Sequence, residues 1–259
     1  MNNSHMLSAQ GVSCPIECVK AGISKMKEFF RKIIDCVKSA EIDLSEYDFY
    51  KFPTDMKCID FLQKLSVKLN KIEVIPKVFE QYQDLLSLDL SNNRIKLLPS
   101  SLSVLTGLET LDVSNNLLES LPCELYNIPE IRRFMQLDYV GITDTVAFKW
   151  AGNESTLYDP PKEIVGFGFE QLPMILKYLK HIFLARKTKT IMIVDVPLTK
   201  FPRTWVENDS SWAKIALTSL QISGTKLQEL PHTISCMSNL KSLILTRNFL
   251  EILPASIGM

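Results

Sequence analysis

The sequence has no excess charge of either sign, no long apolar run and only three histidines. Its 29 Lys and Arg residues balance 29 Asp and Glu residues, which removes the basic footprint that nucleic-acid binding requires. No stretch reaches the roughly 18 apolar residues of a membrane-spanning helix. The start, MNNSHMLSAQGVSC, lacks the basic and apolar regions of a secretory leader. These absences lead to the expectation of a cytoplasmic chain without a transmembrane segment. The cysteines, Cys14, Cys18, Cys36, Cys58, Cys123 and Cys236, are scattered, as reduced thiols are. Cys14 and Cys18 form a weak metal pair. Sequons at Asn2, Asn153 and Asn208 have no route to glycosylation without secretion. His5, His181 and His232 sit in no nucleophile or metal motif, and there is no P-loop, G-x-G-x-x-G or H-E-x-x-H. Neither an enzyme, a cofactor nor a metal site is expected.

What is present is a period. Leu85, Leu88, Leu90, Asn93, Ile95, Leu98 and Pro99 recur 23 residues later as Leu108, Leu111, Val113, Asn116, Leu118, Leu121 and Pro122. Leucines set in this way around one asparagine are the signature of a leucine-rich repeat, in which L-x-L supplies a short parallel strand. The asparagine satisfies backbone where the chain turns inward, and the proline is expected to end the turn by removing a donor. One such unit leaves apolar surface open on both sides, so it needs neighbours.

Upstream, Leu62, Leu65, Val67, Asn70, Ile72, Ile75 and Pro76 fit the same pattern, while Ile42, Leu44, Phe49, Phe52 and Pro53 form a degenerate first unit with Tyr47 at the asparagine position. From Ser24 to Ala40, Met26, Phe29, Phe30, Ile33, Ile34 and Val37 give the i, i+3, i+4 spacing of an amphipathic helix. It is expected to cap the first repeat, with a partner-binding or membrane-surface helix as the rival reading. After Pro129 the register weakens through Ile131, Phe134 and Tyr139, and Asn153 falls at a further repeat asparagine. Asp159, Pro160 and Pro161 then open a helix expected over 161–184. Repeats resume at Ile191, Ile193, Leu198, Phe201 and Pro202, with Val196 for asparagine, and continue through Leu217–Ile234, with Thr225 for asparagine, and Leu240–Ile257.

These units resemble the intracellular Ras-suppressor and Scribble type of leucine-rich repeat, over about residues 41–259. Leu157, Pro160, Pro161, Glu163, Ile164, Val165, Gly168, Tyr178 and Leu179 are similar to the P-P-x-E-I-V segment and helix that close an array in that family. The resemblance implies an α/β leucine-rich repeat solenoid, a horseshoe with a parallel concave sheet, an N-terminal capping helix and a mid-array helical interruption. Its expected parts are residues 1–40 (N-terminal segment and helix), 41–160 (first array), 161–189 (interruption) and 190–259 (second array, truncated in pattern). It also implies a non-catalytic scaffold or adaptor that binds protein in intracellular signalling, with a small GTPase or other signalling protein as the kind of partner. The alternative is the recognition region of a larger kinase, GTPase or ubiquitin ligase.

Alternation along a strand turns every second residue away from the leucine core. The concave candidates are therefore Glu41, Asp43, Lys64, Lys68, Asp89, Asp112 and Arg133, then Gln221, Ile244 and Arg247 in the later repeats. Lys64, Lys68, Ile244 and Arg247 depart from the small and acidic consensus and carry the most information. No polar terminal unit or amphipathic helix follows Pro254, so the outer edge of the last unit is expected to be open, continued by further chain or covered by another molecule.

Overall fold

The computed structural model describes residues 12–54, 59–129, 148–149, 172–202, 205 and 216–258. The chain divides into two compact units, Met1–Thr156 and Leu157–Met259. The expected boundaries near 130–171, including the first half of the 161–184 helix and Asn153, lie outside the described residues.

In the first unit, helices α1 (Ile16–Ala21) and α2 (Ile23–Ser39) precede five strands, β1 (Glu41–Asp43), β2 (Lys64–Ser66), β3 (Ser87–Asp89), β4 (Thr110–Asp112) and β5 (Phe148–Lys149). The strands pair in parallel in that order. Register holds the repeat in place: Ile42, Leu65, Leu88 and Leu111 lie side by side, all buried. Parallel neighbours 23 residues apart are what the L-x-L period dictates.

Asparagine joins each repeat to the one before. The Asn93 side chain donates to Val67, Leu90 and Ser91 carbonyls and accepts the Ile72 amide. Asn116 repeats this with Leu90, Val113, Ser114 and Ile95. Each amide is buried and fully engaged, so the ladder fixes the turn without stranding backbone polar groups. Among the described residues, the one before each asparagine position is left-handed: Glu46, Leu69, Asn92 and Asn115 here, Asp195, Gly224 and Arg247 in the second unit, with φ from 52° to 64°. Only Gly224 is free of the Cβ penalty, and a Cβ there would meet the Asp195 carboxylate.

The prolines act differently from the sequence expectation. Pro99 and Pro122 do not end the turn. Each stands in extended conformation at the head of a 3₁₀ helix, Ser100–Val104 and Cys123–Asn127, and its carbonyl accepts the amide three residues on, from Leu102 and Leu125. Proline suits this place because the ring fixes φ and the missing N–H would have no partner at a helix start.

Tyr47 takes the place of the first asparagine by a different route. Its ring is buried against Phe29 and Phe49, under the Lys25 ammonium at 3.9 Å, and its hydroxyl donates to Glu28 on α2 at 3.0 Å. The backbone service passes to Asn70, which accepts the amides of both Tyr47 and Phe49. The Tyr47 hydrogen bond, then that of Lys25, hold Glu28 below the ordinary glutamate range. Because the folded value is the lower one, this contribution is complete above about pH 4.3 and is lost as pH falls through the lowered value. Glu28→Gln is expected to lower the urea midpoint slightly at pH 7, with the gap from wild type closing in acid; a gap that persists below pH 3 would deny the link.

On α2 the apolar stripe is only partly turned inward. Phe29, Ile33 and Cys36 are buried, whereas Phe30 and Ile34 face solvent. A single helix beside one strand covers a narrow surface, so a stripe as wide as this sequence carries cannot all be buried.

Among the described residues of the second unit, α3 (Leu172–Thr188) is followed by β6 (Thr190–Val194), β7 (Ser219–Ser223) and β8 (Ser242–Ile244), the strands again parallel and in sequence order. Buried Ile175, Leu176, Tyr178, Leu179 and Ile182 give α3 its inner face against β6. Tyr178 stacks on Trp205 and its hydroxyl accepts the Trp205 indole N–H at 3.1 Å.

Both units begin with the same device. A left-handed residue, Ala40 or Lys189, bonds its amide to the helix carbonyl four back and offers its own carbonyl to two amides of the next repeat. Ser39 and Thr188 hold the helix end to the strand start through matching hydroxyl bonds. Lys32 and Lys177 each reach forward to the carbonyl of the strand's last residue, Asp43 or Val194. The helix read from sequence as an interruption that closes the first array thus packs on the first strand of the second unit.

Candidate functional site

The parallel strands present two sets of side chains away from the leucine core, one in each unit. In the first, the register aligns Glu41, Lys64, Ser87 and Thr110 in one row and Asp43, Ser66, Asp89 and Asp112 in the next. Lys64 bonds Glu41 at 2.7 Å with both side chains more than half exposed, so the pair cancels charge and contributes about 0–1 kcal/mol. Thr110 donates to the Ser87 hydroxyl.

The aspartates have local duties. Asp89 accepts the amide and hydroxyl of Ser91, Asp112 those of Ser114 and Asp43 those of Ser45. Burial opposes ionisation of Asp43, but the Ser45 bonds and the cations Lys32 and Lys68 outweigh it and hold its pKa below the usual carboxylate value. Each Asp-x-Ser turn shapes the strand end, and one carboxylate oxygen is spent on it.

Lys68 is half-buried past the end of β2, in the row of Ser91 and Ser114. Arg133 lies outside the described residues. The first unit therefore brings Glu41, Asp43, Lys64, Asp89 and Asp112 onto one sheet face, with Lys68 at its rim.

The second unit is chemically different. Its middle row is Met192, Gln221 and Ile244, with Met192 46% and Ile244 39% exposed. Hydroxyl rows flank it, Thr190, Ser219 and Ser242 on one side and Ser223 bonded to Thr246 on the other. Gln221 donates to the Ser223 hydroxyl. This row is neutral, with two apolar side chains about a central amide, the composition of a contact surface that takes apolar groups. Met192 was not among the sequence candidates, although alternation with Ile191 and Ile193 marks it. Arg247 sits beyond β8 in the left-handed turn row, exposed.

Burial, then the adjacent Cys14 thiol, push Cys18 up to about 12, and burial raises Cys14, so neither supplies a thiolate at neutral pH. Burial, then Lys177 and Lys180, lower His181. Among the described residues no three His, Cys, Asp or Glu side chains are grouped to hold a metal ion, and no helix is long and apolar enough to cross a membrane.

The last repeat keeps its apolar residues in partial contact with solvent. Leu220, Ile222 and Leu227 are buried, whereas their counterparts Leu243, Leu245 and Leu250 are half-buried. Phe249, Ile252 and Leu253 are exposed.

Comparison with curated proteins gives no match. Among solved structures, similarity extends to the LRR ectodomain of the plant membrane receptor kinase GASSHO1/SCHENGEN3 from Arabidopsis thaliana, in complex with Casparian strip integrity factor 2. Identity is 20%, over 84% of this chain and 25% of that one, with a TM-score of 0.33. A leucine-rich repeat protein of Leptospira interrogans shares 17% identity over 84% of this chain and 80% of its own, at a TM-score of 0.33. The plant peptide hormone receptor RGFR1 in complex with RGF2 shares 20%, over 84% and 34% of the two chains, at 0.35. The chain thus spans about a quarter of the first of these. The family described as Leucine rich repeat matches residues 61–118, the segment that carries β2, β3, β4 and the Asn70, Asn93 and Asn116 ladder. The strands that pair on either side of the matched segment, β1 and β5, continue its parallel register.

Proposed function

We propose that this chain is a non-catalytic protein-binding module, a scaffold or adaptor of the Ras-suppressor and Scribble type acting in cytoplasmic signalling, and that its outward strand faces make the contact. The observation that carries the reading is the Met192, Gln221 and Ile244 row. Exposed apolar side chains at the centre of a sheet face, bordered by hydroxyls, are costly to leave in water and suited to a protein surface. Lys68 at the rim of the first unit's face, and Arg247 at the turn in the second, would supply charge selection. The helices α2 and α3 then shield the first strand edge of each unit. A small GTPase or other signalling protein is the partner class implied by the resemblance.

The test places a photo-crosslinking residue at Met192, at Ile244 and, as lateral control, at Leu97, with partners identified from cell extract and affinity then measured on purified protein. Crosslinks at the first two positions, and at least a ten-fold affinity loss for Met192→Glu or Ile244→Glu, are expected. Equal crosslinking at Leu97, or equal loss from Lys96→Glu, would remove the strand-face assignment.

A further inference from the structure

We propose that the outer face of α2, continued by α1, docks on an anionic lipid surface, making the chain a peripheral membrane binder. The inference is independent of what the strand faces bind. Along α2, Ile23, Lys27, Phe30, Ile34 and Lys38 recur at i, i+4, i+7, i+11 and i+15, a single stripe opposite buried Phe29, Ile33 and Cys36. Ile23 is 72%, Phe30 37% and Ile34 59% exposed, and Ile16 and Val19 on α1 are 58% and 45% exposed. Two helices thus hold five large apolar side chains out in solvent, on elements whose other side is already packed.

Charge decides the occupant. Lys20, Lys27, Arg31 and Lys38 are exposed in this region, with Asp35 the one exposed acid beside them. The remaining charged groups of the two helices have partners within the protein: Lys25 lies over the Tyr47 ring, Lys32 bonds the Asp43 carbonyl, Glu28, though 44% exposed, pairs with Lys25 and Lys32 and holds the Tyr47 hydroxyl, and Glu17 accepts the Tyr50 amide. Among the described residues no ion pair involves the four outward cations. Four cations against one anion leave +3 on this face of a chain whose total is zero. Isoleucine and phenylalanine along a helix with lysine and arginine among them match a headgroup boundary, where apolar side chains enter the acyl region and cations meet anionic headgroups. From Ile23 to Ile34 the stripe runs about 16 Å, lying flat rather than spanning.

The experiment is co-sedimentation of the whole chain with vesicles of phosphatidylcholine alone or with phosphatidylserine added. Binding is expected only with phosphatidylserine and is released by raising salt. Each cation removed should lower partition roughly five-fold, so Lys27→Glu/Arg31→Glu/Lys38→Glu should fall to background. Ile23→Ser/Ile34→Ser should lose at least roughly ten-fold. Val74→Ser/Leu97→Ser, exposed apolar positions elsewhere, should bind as wild type. The substituted side chains are exposed, and an unchanged urea midpoint checks the fold; the salt release of the wild-type chain reads the charge term without any variant. Equal binding to both vesicle types, no binding to either, indifference to the helix variants, or retention of an acidic protein instead of vesicles would each overturn the proposal.

Discussion

Asn70→Ala is expected to destabilise the first unit by about 3–5 kcal/mol, more than the same change at Asn93 or Asn116, because several buried groups lose their partners together. The Asn70 side chain accepts from Tyr47 and Phe49 amides and donates to Leu44, Val67 and Lys68 carbonyls. Asn93 and Asn116 each accept only one amide, from Ile72 and Ile95. The difference arises upstream, where Tyr47 replaces an asparagine and spends its own polar atom on Glu28. Loss at Asn93 or Asn116 should be about 1–3 kcal/mol. Urea unfolding followed by circular dichroism ranks the three, and hydrogen exchange supplies the local reading: the Tyr47 and Phe49 amides should lose protection in Asn70→Ala before those of β3. If Asn116→Ala costs as much as Asn70→Ala, the shared ladder is not organised as described.

Trp205→Ala should cost the second unit about 3–5 kcal/mol, the range for removing a large buried aromatic. Trp205 is fully buried, stacked on Tyr178 and edge-on to Phe201, with its indole N–H given to Tyr178. It therefore ties α3 to the repeat that follows β6. Trp205→Phe keeps an aromatic ring but gives up the donor, and should cost less than half as much. Exchange of Ile191 and Ile193 amides in β6 should rise with the first change and hardly with the second. A midpoint unchanged by Trp205→Ala would mean that α3 is held to β6 without this cluster.

The sequence by itself determined the repeat. A 23-residue period with leucine, asparagine and proline at fixed places encodes strand, inward turn and convex turn locally, so Leu65, Leu88 and Leu111 fall side by side once the units stack. It also determined which strand residues alternate outward, although the prolines begin the 3₁₀ turns instead of ending the preceding ones. Only the tertiary structure decided how those residues are used. That Lys64 is paired with Glu41, that the aspartates serve their own serine turns, and that Tyr47 finds Glu28 depends on side chains meeting across elements, which periodicity does not specify. The assignment of α3 to the second unit and the outward turn of Phe30 and Ile34 were likewise settled by packing. An amphipathic sequence states how wide its apolar stripe is, whereas the width of the surface it meets decides how much of that stripe is buried.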